Sequence, residues 1–183
     1  MASYYSGGDE YNGIVMEFES YSTKIGYAGD DYSRSYFRST SAIRKDKGYR
    51  TFDFLSRILP EEELWKLQNP IPRWSGGCLL DMELTSEYIH HASTEMNHHL
   101  DDGSSSALPV LFIERSYHPP LVRQQILEQL MEHDTHLPAA FLARDAVCAC
   151  YAVGRTKATV VDMGHSQTTV TPVYEGFVEQ SGV

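Results

Sequence analysis

Apolar and polar positions fall in blocks along this chain, and the period within the blocks changes from one to the next. Gly13 to Phe18 is a short apolar run that predicts a buried strand. Ser20 to Gly29, punctuated by Gly26 and Gly29, predicts a turn and a second strand. Ser33 to Thr51 is polar, rich in Ser, Arg and Lys, and has little periodicity, so it reads as a surface excursion or small subdomain. Pro60 opens PEEELWKLQ, where a short helix is expected: proline suits a first helical position, and the acidic residues suit the positive end of the dipole. Asn69 to Gly77 then breaks structure with Pro70, Pro72, Gly76 and Gly77. Leu84, Tyr88, Ala92, Met96 and Leu100 recur every four residues, which predicts an amphipathic helix over Glu83 to Leu100, closed by the DDGSSS loop from Asp101.

Beyond that loop, strands and helices alternate. Leu108 to Glu114 is apolar enough for a strand buried on both faces. HPPLVRQQILEQLMEH follows as a helix with Val122, Ile126, Leu127 and Leu130 on one stripe. Pro138 to Ala143 reads as a strand, DAVCACYAVG as a helix ending at Gly154, and ATVVDMG with TTVTPVYEG as a hairpin. This alternation predicts an α/β fold.

Composition changes the picture little. The chain has 183 residues, 42% hydrophobic and 22% charged, which is ordinary for a globular domain with its own core. A formal net charge of −10, from 25 acidic and 15 basic residues, repels a phosphate backbone and argues against strong direct DNA binding. Arg44, Lys45 and Lys47 form a local basic run that reads as solvated loop. Met1 to Asn12 lacks the basic and apolar regions of a secretory signal and reads as a leader. No stretch approaches the roughly 20 apolar residues that span a bilayer. Three cysteines, Cys78, Cys148 and Cys150, without CxxC spacing, fit a reducing compartment, nucleus or cytoplasm.

Candidate chemistry enters through two segments 145 positions apart, Val15 to Gly29 and Val160 to Gly176. Each ends an apolar strand with a carboxylate, Glu17 or Asp162, and turns through a polar loop. Each has a hydroxyl at the same offset, Thr23 or Thr168, before re-entering a strand. A carboxylate beside a tight turn with outward N–H groups could hold a metal ion and phosphate oxygens, so two facing copies would clamp a nucleotide. A chance likeness of two hairpins is the alternative.

The two segments resemble the paired phosphate-binding loops of the actin superfamily. KIGYAGDD (Lys24 to Asp31), LARDAVCACYAVGRT (Leu142 to Thr156), the D-x-G-x-x-x-T pattern from Asp162 and the P-x-Y-E-G tail all lie where actins have their counterparts. GGDE (Gly7 to Glu10) and Ser20-Tyr21 in the first loop are similar to the actin-related protein 4 class. The resemblance implies the actin-like ATPase (ribonuclease H-like) fold. In domains, it implies a leader at 1–12, a first lobe at 13–154 with a variable small subdomain about 37–74, and the truncated start of a second lobe at 155–183. It implies a nuclear subunit of chromatin-remodelling or histone acetyltransferase complexes. Monomeric actin and a helical scaffold or motor subunit would be its partners, with histones as a further one.

By the same resemblance, Glu17, Ser20, Tyr21, Lys24, Asp162, Gly164, His165 and Thr168 are the cofactor-binding positions, with magnesium through Glu17 and Asp162. Departures weaken that set. Glu19 stands where the family has a glycine, and a charge about 4 Å from a phosphate at an effective dielectric near 20 costs on the order of 4 kcal/mol. That corresponds to roughly three decades of affinity. Asp145 stands in place of the glutamine that orients the attacking water, a degenerate catalytic position. His165 replaces an aspartate. Actin-fold chains are about twice this long, and the further part carries most of the adenosine pocket. Weak or absent ATP/Mg binding and no significant hydrolysis are therefore expected. The alternatives are an active ATPase or filament-forming actin, and a non-functional truncated copy.

Weaker signals have bland readings. His90, His91, His98 and His99 share one helix, but His91 and His98 are separated by roughly 10.5 Å of rise, too far for one zinc. They read as solvated, and His133 and His136 as loop. Cys148 and Cys150 read as small helix residues rather than reactive thiols. Trp65 and Trp74 read as packing for a small subdomain.

Overall fold

The computed structural model describes residues 13–48, 50–52, 65–71, 81–97, 108–132 and 137–179. In chain order its strands begin with β1 (Ile14–Phe18), β2 (Ser22–Tyr27), β3 (Ser35–Arg38), β4 (Ser41–Arg44), β5 (Arg50–Thr51) and β6 (Trp65–Gln68). Then come α1 (Met82–Asn97), β7 (Val110–Glu114), α2 (Pro120–Glu132), β8 (Ala140–Arg144) and α3 (Asp145–Ala152). The final three strands are β9 (Ala158–Met163), β10 (Thr168–Tyr174) and β11 (Phe177–Val178).

Among the described residues the main sheet has five strands in the order β3-β2-β1-β7-β8. β1, β7 and β8 run parallel, whereas β2 and β3 are added antiparallel on the other side. Parallel neighbours need a crossover, and α2 supplies the one between β7 and β8. The architecture is therefore mixed α/β, as the alternation predicts. Alternate residues of β1 (Ile14, Met16, Phe18) and of β7 (Val110, Phe112) enter the core. There they meet Leu84, Tyr88, Ala92 and Met96 of α1 and Ile126 and Leu130 of α2. The four-residue spacing read along α1 is the face it buries. Each Val, Leu, Ile, Phe or Met side chain among them contributes about 1.5–3 kcal/mol by leaving water. Leu127 does not join the α2 stripe and is exposed, because one residue further on a helix turns the side chain about 100° from buried Ile126.

Among the described residues there are two smaller sheets. β11-β10-β9 packs on α3 around Ala146, Cys150 and Val173. β5-β4-β6 stands apart from the main sheet. The Ser33 to Thr51 stretch, read as an excursion without periodicity, contains β3, β4 and β5. Strands of two to four residues are too short to display a period of two. The helix expected over Pro60 to Gln68 is also corrected: its described part, Trp65–Gln68, is a strand paired with β4, Ala42 opposite Leu67. Pairing with β4 overrides a local helical preference. The leader at 1–12 lies outside the described residues, as do Trp74, Cys78, His98, His99, Leu100, His133 and His136. His91 is half-buried rather than free in solvent. Its ring stacks on Phe52 at 4.2 Å between centroids and meets the edge of Phe37 at 4.9 Å. No helix among the described residues is long and apolar enough to cross a membrane.

The β10–β11 turn relies on Glu175 and Gly176, with φ of 50° and 81°. A Cβ on Gly176 would also strike the Tyr151 hydroxyl. Gly176→Ala is expected to cost about 1–2 kcal/mol through the left-handed backbone alone. A lower thermal midpoint with an unchanged far-ultraviolet spectrum is the expected readout.

Candidate functional site

The three parallel strands end side by side, and the next residue after each is charged. Glu19 follows β1, Arg115 follows β7 and Asp145 follows β8. Open α/β sheets place their ligand crevice at these carboxyl ends. Opposite them β9 contributes Asp162. The cavity between, about 240 Å³, is lined by Glu17, Glu19, Arg115, Asp145, Asp162 and Thr169 among others. A slightly larger hollow of about 270 Å³ runs along β2 and the Ala28–Ser33 turn. It lacks Arg115, Asp145 and Asp162, so the chemistry belongs to the smaller one.

Arg115 is the hub. Its Nη1 donates to Asp145 Oδ2 at 3.2 Å and to Asp162 Oδ2 at 3.1 Å, and its Nη2 donates to Glu19 Oε1 at 3.1 Å. Arginine presents five donors in a planar fork, which lets one side chain serve three acceptors. Burial works against its charge, but Glu19 and Asp145, with Tyr117, outweigh that and hold its pKa above the ordinary arginine value. The backbone beneath it is fixed by Arg144, whose Nη1 donates to the carbonyls of Arg115 (3.0 Å) and Ser116 (2.8 Å). Fully buried Glu114 sits between Arg123 (2.6 Å) and Arg144 (3.4 Å). Burial pushes its carboxyl upward, partly offset by Arg144 and Arg123.

Lys24 forms the second node. Cross-strand register puts it directly opposite Glu17, and its Nζ donates to Glu17 Oε2 at 3.0 Å and to Glu19 Oε2 at 3.4 Å. Burial lowers its pKa, yet the bond and charge of Glu17, then Glu19, raise it further. Glu19 is thus compensated by two cations. The free-charge penalty attached to it does not apply as stated.

The other positions fall in two groups. Asp145 is tied down: its Oδ1 accepts from the Ser116 N–H (2.9 Å), the Ser116 hydroxyl and the Ala146 N–H (2.7 Å), while Oδ2 accepts from Arg115. Ser20 and His165 bridge the two hairpins, Ser20 Oγ to His165 Nδ1 at 3.4 Å. The Tyr21 ring lies 5.3 Å from that of His165, and the guanidinium of Arg38 on β3 lies over the Tyr21 ring, 3.7 Å from its centroid. The Gly164 N–H donates to Gln167 O at 3.0 Å and closes the second turn. Asn69 Nδ2 holds the first loop through Ser20 O at 2.9 Å.

Two hydroxyls are not where the repeat of the motif puts them. Thr23 is buried and bonded to Ser39 Oγ at 3.2 Å, away from the cleft. Thr168 is exposed opposite Met163, on the outer face of the hairpin, whereas Thr169 lies opposite Asp162 and lines the cavity. Strand side chains alternate, so an offset wrong by one residue changes the face. Cys150 is buried, and burial, with the charges of Asp145 and Glu17, pushes the Cys148 thiol up, away from reactivity. Arg115 itself carries no motif. The available signal was its place directly after an apolar parallel strand.

The sequence model of the family described as Actin matches residues 8–183. The chain is 32% identical to Actin-related protein 4 of Debaryomyces hansenii over 182 residues, covering 93% of this chain and 35% of that protein. It is 30% identical to Actin-related protein 4 of Saccharomyces cerevisiae, covering 93% and 34%. It is 27% identical to the SWI/SNF and RSC complexes subunit arp42 of Schizosaccharomyces pombe, covering 96% and 40%. The chain thus spans between a third and two fifths of the length of these relatives.

Proposed function

This chain belongs to the actin family, and from that premise we propose that it acts as a structural subunit of a nuclear chromatin-remodelling assembly, with weak or no ATP binding and no significant hydrolysis. The observation that carries the reading is the closed ion-pair lattice in the cleft. Glu19, Asp145 and Asp162 are each committed to Arg115, and Glu17 to Lys24. Catalysis of phosphoryl transfer needs a group that orients water and cations that neutralise phosphate charge. Asp145 has both oxygens occupied. Four carboxylates, Glu17, Glu19, Asp145 and Asp162, stand against two cations, Lys24 and Arg115, a formal net charge of −2 that repels phosphate.

The names of the relatives support the assembly role: actin-related protein 4, and a subunit of SWI/SNF and RSC complexes. Monomeric actin and a helix of the scaffold or motor subunit are the partners we assign, with histone acetyltransferase complexes as a second setting. Tagged full-length protein purified from nuclei should bring down actin and a remodelling motor in near-equal amounts. Recovery alone, or in sedimenting filaments, would overturn the reading.

A further prediction separates the two causes of nucleotide loss. Glu19→Gly removes the bulk beside the first turn but leaves Arg115 on Asp145 and Asp162. Calorimetric titration with magnesium-ATP should therefore be as silent for Glu19→Gly as for the wild type. Restored binding would assign the loss to Glu19 alone.

A further inference from the structure

The family implies a divalent cation between the two hairpins, and the residues here do not fit one. Divalent magnesium demands near-octahedral oxygen ligands about 2.0–2.1 Å away and keeps several waters. Asp162 Oδ2, the ligand offered by the second hairpin, already accepts from Arg115 at 3.1 Å, and Glu17 Oε2 already accepts from Lys24 at 3.0 Å. A metal ion placed between them would sit beside two fixed positive charges.

We propose that Arg115 takes the place of the divalent cation in this cleft, joining the first hairpin, α3 and the second hairpin into one unit without metal or nucleotide. The inference rests on the family and the cleft geometry, and not on the chromatin reading. Its three partners come from three separate elements: Glu19 beyond β1, Asp145 at the head of α3 and Asp162 on β9. No two of them are brought together by local sequence, so the guanidinium does the bridging that a metal ion does elsewhere. It is a built feature rather than a surface arginine that has drifted in. Its side chain is only 13% exposed, and Arg144 anchors the turn that carries it from beneath. The second bridge between the hairpins, Ser20 to His165, pairs a hydroxyl with an imidazole and offers no carboxylate oxygen of the kind magnesium takes. The consequence is a cleft whose two hairpins are joined at rest by one of its own side chains. Ligand occupancy would then not be the signal that sets the relative position of the two hairpins.

Lysine cannot replace Arg115 in this role, since an ammonium is a compact point charge on a stem that cannot fork toward three acceptors. Arg115→Met keeps the apolar stem and removes the fork.

The test is thermal melting of the full chain, wild type and Arg115→Met, in chelator and across a series of magnesium, manganese and calcium concentrations. The wild-type midpoint should not move with any of the metals. The variant should melt lower in chelator and regain part of the difference as metal is added, because the carboxylates that Arg115 bridged are then left with Lys24 on Glu19 alone and are open to a second cation. A wild-type midpoint that rises with metal overturns the proposal. So does a variant that melts like the wild type in chelator, or one that melts lower and ignores metal. If the variant does not fold, terbium emission sensitised by nearby tyrosines decides on the wild type alone. Absence of saturable emission supports the proposal, and saturable emission abolished by Asp162→Asn overturns it.

Discussion

Arg115→Ala is expected to destabilise the protein by about 2–4 kcal/mol, more than any other single change in the cleft. Removing one partner of a buried ion pair costs about 3–5 kcal/mol because the other charge is stranded. Here the value is discounted, since Asp162 is 43% exposed and water will take up part of its charge. Asp145 is only 15% exposed and Glu19 25%, so they carry most of the cost. For a domain of this size each kcal/mol moves the midpoint by about 2–4 °C. A fall of roughly 4–16 °C in chelator is the corresponding readout. Arg115→Lys should recover little of it. Double changes discriminate the mechanism: Arg115→Ala combined with Asp145→Asn should melt above Arg115→Ala alone, because the least exposed stranded charge is gone while the acceptor for the Ser116 and Ala146 N–H groups is kept. A double variant that is lower still would mean that Arg115 acts through packing.

The largest effect outside the cleft is expected at Tyr88. It is fully buried at the junction of α1 with the main sheet. Phe52 and Phe18 stand edge-on to its ring at 4.8 Å and 6.3 Å between centroids, and Phe37 lies tilted at 6.1 Å. Its hydroxyl donates to the carbonyl of buried Ser39 at 2.6 Å, which ties α1 to the segment between β3 and β4. Burial pushes the phenol far above its ordinary pKa, so it remains a donor across the usable pH range. Tyr88→Ala leaves a ring-sized cavity and an unmet carbonyl, and about 3–5 kcal/mol or more should be lost. Tyr88→Phe keeps the ring and strands only the Ser39 carbonyl, for about 1–3 kcal/mol. Denaturant melts of the two variants separate the packing term from the hydrogen bond. Equal losses would contradict this division.

These two positions also mark what a one-dimensional reading can and cannot reach. Tyr88 was legible as core, because Leu84, Tyr88, Ala92 and Met96 repeat at the spacing of one helix face, and that face is the one buried. The strands β1, β7 and β8 were legible from short, mostly apolar runs between turn residues. The carboxylates Glu17 and Asp162 were legible as a pair because two distant segments share their layout. Arg115 was not, since a single arginine after a strand has no period and no motif. Its meaning comes from parallel strands that place Glu19, Arg115 and Asp145 in one row. Glu19 shows the same limit from the other side. Along the chain it is an uncompensated negative charge at a phosphate loop, while in the fold it is held by Arg115 and Lys24. Thr168 and Thr169 differ by one position, and only the register of β9 with β10 tells which of them meets Asp162. Short strands such as β4 and β6 exist through each other, so neither segment announces itself alone.

The central claim, that this actin-family cleft is an assembled structural element and not a working ATPase, is tested most directly by phosphate release from magnesium-ATP with the purified chain. The account predicts no release above the protein-free blank at any ATP concentration, and the same result after monomeric actin is added. Release that requires magnesium, saturates with ATP and disappears in Asp162→Asn would contradict it.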